Sequence, residues 1–178
     1  MGVSSIGPVC KVRGEVTDSV LVGYCNKAHD GHLGHAVLGR WVNLGAGTIN
    51  SDLKNTYSPV RVRLPRGDVD TGLLKVGSFI GDHVKTGIGT LLTTGAVIGA
   101  ASNLFGGRMP PQCVPAFSWG EGAELGEHQV DKFLATAEIA MRRRGVELSA
   151  GMRHVLTAAA ERAQIERKAG REQEKRSR

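Results

Sequence analysis

Three histidines, His29, His32 and His35, lie within seven residues in an otherwise apolar, glycine-spaced stretch of this chain. An imidazole titrates near neutral pH, so it can take a proton from an attacking amine or hydroxyl and pass it on. Asp30 or a backbone carbonyl could hold the required tautomer. The alternative is a set of surface histidines with no chemical role, and the spacing alone leaves both interpretations open.

A six-residue repeat indicates the element that carries these histidines. Every sixth residue from Leu74 to Leu104 is aliphatic or threonine, and a small residue recurs four places later; residues 38–48 have the same period. A period of six fits neither an α-helix nor a single strand. It fits a chain wound into a prism, whose faces are short strands and whose corners take glycine or small residues. The sequence therefore predicts a β-solenoid of hexapeptide repeats, with a globular sheet and coincidental glycines as the alternative.

The repeat divides the chain into three parts. Residues 1–107 are predicted to form the solenoid, with an excursion at 50–73 where turn-forming residues and the alternating segment 60–64 interrupt the repeat. A loop that leaves a solenoid is a frequent location for binding. Glycine and proline pairs then mark a linker at 108–120, and residues 121–178 carry helical patterns that end in a basic tail.

Apolar spacing places two helices in this C-terminal part. The first pattern runs from Val130 to Met141 and stops near Gly145, and Ser149 can cap a second helix that reaches Ala163. The expected fold class is therefore mainly β, with a C-terminal α-helical extension. Both apolar stripes are predicted to pack on each other or against the solenoid.

The composition argues against several function classes. The net charge of +6 arises entirely in residues 142–178, which hold 11 basic and 5 acidic side chains. Such a tail is typical of a solvated helix end, and it could instead attract anionic cofactors or RNA. Aromatic residues that could stack on bases are not interleaved with the charges, so we predict no specific nucleic-acid partner. No apolar run is long enough to span a membrane, so no membrane partner is expected either.

Cysteine and histidine usage bears on redox and metal chemistry. Cys10, Cys25 and Cys113 are odd in number and widely spaced, which favours reduced thiols in a cytoplasmic protein. The three clustered histidines and His83 could in principle supply zinc ligands. Histidines three residues apart do not all leave a solenoid from one face, so we predict no metal in the site.

The run NKAHDGHLGHAVLGRWVNLGAGTINSDLKN makes the likeness to a known family specific. It resembles the acetyltransferase half of the bifunctional glucosamine-1-phosphate N-acetyltransferase/N-acetylglucosamine-1-phosphate uridyltransferase family, and within it the variant branch labelled sugar nucleotidyltransferase. The resemblance implies a left-handed parallel β-helix of hexapeptide repeats that forms a homotrimer. It also implies acetyl-CoA bound between neighbouring solenoids and a histidine base acting on an amino-sugar phosphate.

The resemblance assigns site residues by position. It implies His29 as the catalytic base, with His32 as the alternative because the spacing before Gly34 differs by one residue from the better-known branch. The remaining implied contacts are Asn43, Asn50 and Lys54 for the substrate, and the backbones of Ala46 and Ala100 for acetyl-CoA.

The leading hypothesis is an acetyl-CoA-dependent N-acetyltransferase that modifies an amino-sugar phosphate in nucleotide-sugar or cell-envelope biosynthesis. The alternative is a non-catalytic trimerising or regulatory β-helix domain of a sugar nucleotidyltransferase, favoured by changes at the phosphate-contact positions. The uridyltransferase half has no counterpart in this sequence. We therefore expect the C-terminal part of a longer enzyme, a truncated gene product or a free-standing acyltransferase.

Overall fold

The computed structural model describes residues 3–176 and shows a parallel β-helix followed by two α-helices. Numbered along the chain, the strands of the first face are β1 (Ser5–Ile6), β4 (Val20–Gly23), β7 (Val37–Arg40), β11 (Phe79–Ile80), β14 (Val97–Ile98) and β16 (Cys113–Val114). Those of the second face are β2 (Lys11–Val12), β5 (Asn26–Lys27), β12 (Lys85–Thr86), β15 (Asn103–Leu104) and β17 (Ser118–Glu121). Those of the third face are β3 (Val16–Thr17), β6 (Leu33–Gly34), β8 (Ile49–Asn50) and β13 (Leu91–Leu92). The predicted β-solenoid is confirmed.

Each short strand places one side chain inside the prism and the next one outside, because neighbouring residues on a strand point to opposite sides. Ile80, Leu92 and Ile98 are buried in the interior, whereas Phe79 and Leu91 face outward. The six-residue spacing predicted these interior positions. It was wrong about its first member: Leu74 is half-exposed on the excursion, and the regular coils begin after it.

One corner of the prism, between the first and second faces, carries aromatic side chains instead of glycines. Tyr24, Trp41, His83 and Phe117 occupy this corner with φ angles of 55°, 63°, 60° and 55°. The rings of Tyr24 and Trp41 stack at 4.1 Å between centroids, and Phe133 approaches His83 at 5.6 Å and Phe117 at 5.1 Å. The strained corner is therefore the surface on which the helical extension packs.

The extension consists of α1 (Val130–Arg142) and α2 (Ala150–Arg176). Both predicted helices are confirmed, and the Met152 backbone N–H donates to the Ser149 hydroxyl at 3.2 Å, as expected for a cap. Ala160 and Ala163 of α2 pack into the same cluster as Phe133. The basic tail predicted to end the chain continues α2, and its last two residues lie outside the described part.

The prediction of a linker at residues 108–120 was wrong. Residues in this range form β16 and β17, which add a further coil to the solenoid, and β18 (Glu124–Glu127) then pairs antiparallel with β17. Val114 and Phe117 are buried. The Gly106-Gly107 and Pro110-Pro111 pairs lie in a segment between β15 and β16 that forms no strand. The solenoid continues after this segment, so the pairs do not end the repeat.

The excursion leaves the solenoid after Asp52 and rejoins it at Val76, whose backbone N–H donates to the Asp52 carbonyl at 2.8 Å. Its tip is a two-stranded hairpin of β9 (Arg61–Val62) and β10 (Val69–Asp70). An excursion was predicted, although Asn50 still belongs to β8. Among the described residues, no helix is long and apolar enough to cross a membrane.

Candidate active site

A groove of about 440 Å³ lies at the corner between the second and third faces. We call it the His29 groove; it is lined by Arg13, His29, Asp30, Gly31, Ala46, Gly47 and Ile49. His29 is exposed and follows β5 by two residues, while Ala46 lies one coil further along. The structure therefore brings the predicted base and one of the two predicted cofactor-contact residues into one depression.

A buried lysine ties the two sides of the His29 groove together. Lys27 is only 2% exposed and occupies an interior position that holds Leu44 in the next coil. Its ammonium donates to the carbonyls of Arg13 at 3.0 Å and His29 at 2.6 Å. Burial lowers the pKa of Lys27, and the nearby Asp30 carboxylate partly opposes this shift. Lys27 was not among the predicted site residues, although a lysine at an interior position of the repeat is a recognisable signal.

Asp30 does not hold the His29 tautomer. Its carboxylate accepts a hydrogen bond from the Arg13 Nε at 3.2 Å, and both side chains are exposed. An exposed ion pair of this kind contributes about 0–1 kcal/mol, so it can open readily for an anionic ligand. Arg13 is therefore the cation of the His29 groove.

The other predicted contact residues lie outside this groove. Asn43 is on the second face, where its Oδ1 accepts from Asn26 at 2.8 Å. Lys54 donates to the Pro59 carbonyl at 2.6 Å within the excursion. Ala100 lies at the corner between the first and second faces, against Gly81.

Asn50 has a structural role. Its side chain is 1% exposed inside the solenoid, where the amide accepts from the Gly34 backbone N–H at 2.8 Å and donates to the Gly34 carbonyl at 2.9 Å. These two bonds satisfy the backbone polar groups of β6 in the interior, where an unpaired group is costly. The amide oxygen and one amide N–H of Asn50 are thus engaged within the solenoid interior.

The other two clustered histidines contact carboxylates at the far side of the third face. The Nδ1 atom of His35 lies 2.7 Å from Asp52 Oδ2, and the Nε2 atom of His32 lies 3.8 Å from the same oxygen. The Nδ1 atom of His32 is 3.4 Å from Glu15. A Cβ atom on Gly34 would lie 2.5 Å from His32 Nε2 and 2.6 Å from Asp52, so this glycine makes room for the contact.

Sequence reasoning missed the contact between His35 and Asp52. A signal was present: Val20 pairs with Val37 one coil later, which is the same 17-residue separation as that between His35 and Asp52. A histidine and an aspartate one coil apart stack on adjacent coils of a parallel β-helix. His29 has no such neighbour at its own coil-to-coil spacing, since residue 46 is alanine.

A second cavity, of about 700 Å³, lies between His35 and the base of the excursion. We call it the excursion cavity; it is lined by His35, Leu53, Tyr57, Gly72, Leu73, Leu74 and Lys75. Most of these side chains are apolar. It lies at the opposite edge of the third face from the His29 groove.

Two further titratable groups lie under α1 at the aromatic corner. Burial, and secondly the Lys85 ammonium, lowers the pKa of His83 to about 4. Burial also lowers the pKa of His128, whose Nδ1 lies 2.9 Å from the Ala101 carbonyl. Burial thus disfavours the charged form of both imidazoles, and their aromatic surroundings indicate a packing role.

The interior thiol of Cys25 has no sign of a chemical role. Burial raises its pKa to about 11, and its Sγ lies 3.0 Å from the Gly39 carbonyl. A thiol is nucleophilic only as the thiolate, so Cys25 remains protonated and unreactive at neutral pH.

Comparison with known proteins adds a sequence relationship. The chain is 34% identical over 95 residues to a bifunctional sugar-1-phosphate nucleotidylyltransferase/acetyltransferase of Sulfurisphaera tokodaii, across 53% of this chain and 24% of that protein. It is 32% identical over 88 residues to the bifunctional protein GlmU of Methanococcus maripaludis, across 49% of this chain and 21% of that protein. The β-helix resembles the acetyltransferase region of these bifunctional enzymes.

This GlmU-like relationship extends to bacteria. The GlmU of Synechococcus elongatus is 31% identical over 116 residues, across 64% of this chain and 22% of that protein. The chain thus spans about a quarter or less of the length of each of these relatives. No protein-family model matches the chain.

Among solved structures, the N-acyltransferase AntD of Bacillus cereus is similar at 16% identity. A point mutant of that protein, in complex with dTDP and coenzyme A, superposes over 80% of this chain and 82% of its own, with a TM-score of 0.42.

Proposed function

We propose that this chain is an acyl-CoA-dependent N-acyltransferase, with acetyl-CoA as donor and an amino-sugar phosphate such as glucosamine 1-phosphate as acceptor. The observation that carries the proposal is the shared location of His29 and Ala46 in one groove of a solenoid related in sequence to acetyltransferases. The acceptor would belong to nucleotide-sugar or cell-envelope biosynthesis.

His29 acts as the general base in this proposal. Its exposed imidazole takes a proton from the acceptor ammonium, and the resulting amine attacks the thioester carbonyl carbon. A backbone N–H of the groove stabilises the oxyanion that forms on the carbonyl oxygen. Collapse of the intermediate breaks the C–S bond and expels the thiolate, which takes the proton from the imidazolium, and the second proton of the attacking nitrogen is lost to water as the amide forms.

The groove suits an anionic acceptor and a bulky donor. Gly31, Ala46 and Gly47 carry little or no side chain, so a ligand can approach their backbone closely. A phosphate can replace the Asp30 carboxylate on Arg13, because the present ion pair is exposed and weak. Lys27 holds the carbonyls of Arg13 and His29, which fixes both residues at the groove.

A homotrimer is part of the proposal, and the first face supports it. Val20, Val37 and Phe79 point outward from this face and are 42%, 40% and 39% exposed. A contiguous apolar strip on a flat sheet face is typical of a surface that is covered by another chain. Sedimentation equilibrium tests it: three times the chain mass is expected, and a monomer at micromolar concentration would contradict it.

The second candidate, a non-catalytic β-helix domain, is favoured by a different observation. Two of the predicted substrate contacts are occupied within the fold, Asn50 by Gly34 and Lys54 by Pro59. A chain that lost these contacts could retain only an assembly role.

One kinetic experiment separates the two candidates. Thiol release from acetyl-CoA is measured with glucosamine 1-phosphate for the wild type and for His29→Ala, with the exposed His154→Ala on α2 as the matched control. Loss of a general base should lower kcat by about 10²–10⁴-fold, whereas the control should leave it unchanged. His32→Ala is the third variant; a loss confined to it would assign the base to His32. A folded wild type without turnover would contradict the catalytic proposal.

A further inference from the structure

Lys85 is a half-buried lysine that the proposed reaction does not use. It lies in β12 on the second face, where Thr86 points into the solenoid and Lys85 points outward. Among the described residues, no hydrogen bond or ion pair involves the Lys85 ammonium. Burial lowers the pKa of Lys85, and no carboxylate of the described residues opposes this shift. An ammonium that is partly removed from water without a counter-ion is unfavourable unless a ligand compensates for it.

The groups around this ammonium do not neutralise it. After burial, the Lys85 charge is the second cause that lowers the pKa of His83. Burial is also the largest cause that lowers the pKa of His128; a hydrogen bond with the Ala101 carbonyl opposes the shift, and the Lys85 charge adds to it. The Lys85 charge thus acts on two imidazoles that cannot serve as its counter-ion. An anion bound at Lys85 would supply the missing negative charge.

Two amide side chains flank Lys85 at the same position of the neighbouring coils. Lys85 pairs with Asn43 on one side and with Asn103 on the other, and all three side chains leave the outer surface of the second face. Because neighbouring strands are about 4.8 Å apart, the three side chains form a row about 10 Å long. We call these three residues the Lys85 row.

The amides of the Lys85 row have unused hydrogen-bond donors. Asn43 Oδ1 accepts from Asn26 Nδ2 at 2.8 Å, and the Asn43 N–H₂ group has no acceptor among the described residues. The Asn103 side chain forms no hydrogen bond within the part of the chain that the structure describes. An ammonium and two amide N–H₂ groups in one line can donate together to the oxygens of an extended oxyanion.

The surface beside the Lys85 row is open to a ligand. Gly45 and Gly87 follow Asn43 and Lys85 by two residues and carry no side chain, so the backbone there can be approached closely. Trp119 continues the row beyond Asn103 and is 44% exposed. The organic part of a phosphorylated ligand can therefore lie over the glycines or against the indole ring.

We propose that the Lys85 row binds a diphosphate group, with the Lys85 ammonium at its centre and the Asn43 and Asn103 amides donating to its outer oxygens. A diphosphate is long enough to contact more than one residue of the row. The row lies outside the residues that line the His29 groove, and the proposal does not depend on acyl transfer. Coenzyme A and free nucleoside diphosphates both carry this group, so the ligand is defined first by its shared chemistry.

Binding is tested with inorganic pyrophosphate, titrated by calorimetry into the full chain at low ionic strength without metal ions. The proposal expects saturable binding at one site per chain. Lys85→Met keeps the apolar stem and should weaken binding by about 10–100-fold, because a charge-assisted hydrogen bond is lost. Asn103→Ala should weaken it by about 2–10-fold, the effect of one neutral hydrogen bond.

The matched control is Lys11→Met. Lys11 is an exposed lysine on the same face, and it pairs with Asn26 at the other end of the solenoid. Its removal changes the net charge equally and should leave pyrophosphate affinity within about twofold, because an exposed charge contributes little. Equal weakening by Lys11→Met and Lys85→Met would show general electrostatic attraction and overturn the proposal, as would an affinity that Lys85→Met leaves unchanged.

Thermal unfolding separates a lost site from a lost fold. Pyrophosphate should raise the Tm of the wild type, because a ligand that binds only the folded state stabilises it. Lys85→Met should unfold cooperatively with a Tm that pyrophosphate does not change. An equal rise in Tm for both proteins overturns the proposal.

Two further titrations identify the source of the diphosphate. Tighter binding of coenzyme A than of UDP, weakened by Lys85→Met, would assign the row to the diphosphate of the acyl donor; pantetheine, which lacks this group, should then bind equally to both proteins. Tighter binding of UDP, also weakened by Lys85→Met, would assign the row to a separate nucleotide ligand. Affinities for coenzyme A and UDP that both ignore Lys85→Met would overturn the proposal.

This inference and the proposed function fail in distinguishable ways. His29-dependent acetylation of glucosamine 1-phosphate without pyrophosphate binding at Lys85 would overturn only the present inference. Pyrophosphate binding that requires Lys85, in a chain without acyl transfer, would overturn only the proposed function.

Discussion

The substitution His83→Phe should stabilise the protein, and the gain should grow in mild acid. His83 is 4% exposed between Trp41 and Phe133, and its buried Nδ1 finds no hydrogen-bond partner among the described residues. Burial, together with the Lys85 ammonium, lowers its pKa from 6.5 to about 4. Phenylalanine keeps a ring of similar size at this corner and removes both the unpaired nitrogen and the titration.

The direction of this pH dependence follows from the linkage between proton binding and unfolding. Below pH 6.5 the unfolded chain protonates this histidine, whereas the folded protein resists protonation until the pH reaches about 4. Acid therefore favours the unfolded state throughout this window, and above it His83 has no effect on the pH dependence. At about 1.4 kcal/mol per pKa unit, the free energy of unfolding falls by about 3 kcal/mol in total, and about 2 kcal/mol of this is lost by roughly pH 5.

The assay is urea unfolding followed by tryptophan fluorescence at about pH 7.5 and about pH 5. We expect His83→Phe to raise the free energy of unfolding by about 1–3 kcal/mol at neutral pH, because an unpaired buried polar atom is removed. The gain should increase by about 2 kcal/mol at about pH 5. The exposed His154→Phe is the matched control and should show no such increase. Parallel pH dependences of the wild type and His83→Phe would refute the reasoning.

Three further substitutions test other parts of the structure. Val9→Asn should raise the free energy of unfolding by about 1 kcal/mol in urea, because Val9 is half-exposed with a φ of 57°, a conformation that penalises valine; no gain would argue against strain there. Lys27→Met should lower the free energy of unfolding by about 1–3 kcal/mol, because the part-buried carbonyls of Arg13 and His29 lose their donor; an unchanged free energy of unfolding would show that water replaces the ammonium. Gly34→Ala should leave a folded chain but lower the free energy of unfolding by about 1–3 kcal/mol, because the added Cβ would displace Asp52 and break its hydrogen bond with His35; an unchanged free energy of unfolding would contradict the assigned contact.

The fold was largely predictable because a β-helix repeats one local rule. Ile80, Leu92 and Ile98 occupy interior positions at the expected spacing, and Phe133 to Met141 form the expected helix face. The spacing is interrupted where coils differ in length. For this reason the sequence placed Leu74 in the repeat and treated residues 108–120 as a linker, although they carry two strands.

Of the proposed site residues, the proximity of one pair follows from the length of a coil. His29 and Ala46 share a groove because 17 residues make one coil in this part of the solenoid, the separation at which Val20 pairs with Val37. The inward orientation of Asn50 could not be predicted, because a polar amide is buried only where it finds hydrogen-bond partners, and these are the backbone groups of Gly34.

The aromatic corner could not be predicted from the sequence either. Trp41, His83 and Phe117 take left-handed backbone angles that side chains of this size rarely adopt, and the contacts that accompany these angles are the stacking of Trp41 on His83 and the packing of His83 and Phe117 against Phe133. The same repeat position holds Ala101 in another coil, so its residue type carries no recognisable pattern.

The most direct test of the acyltransferase proposal is a calorimetric titration of the purified chain with acetyl-CoA, with and without glucosamine 1-phosphate. Our account predicts micromolar binding at one site per subunit, and loss of that site in Ala46→Trp, whose side chain would fill the His29 groove. No detectable binding of acetyl-CoA to a folded wild-type chain would contradict the account and leave the β-helix as an assembly domain.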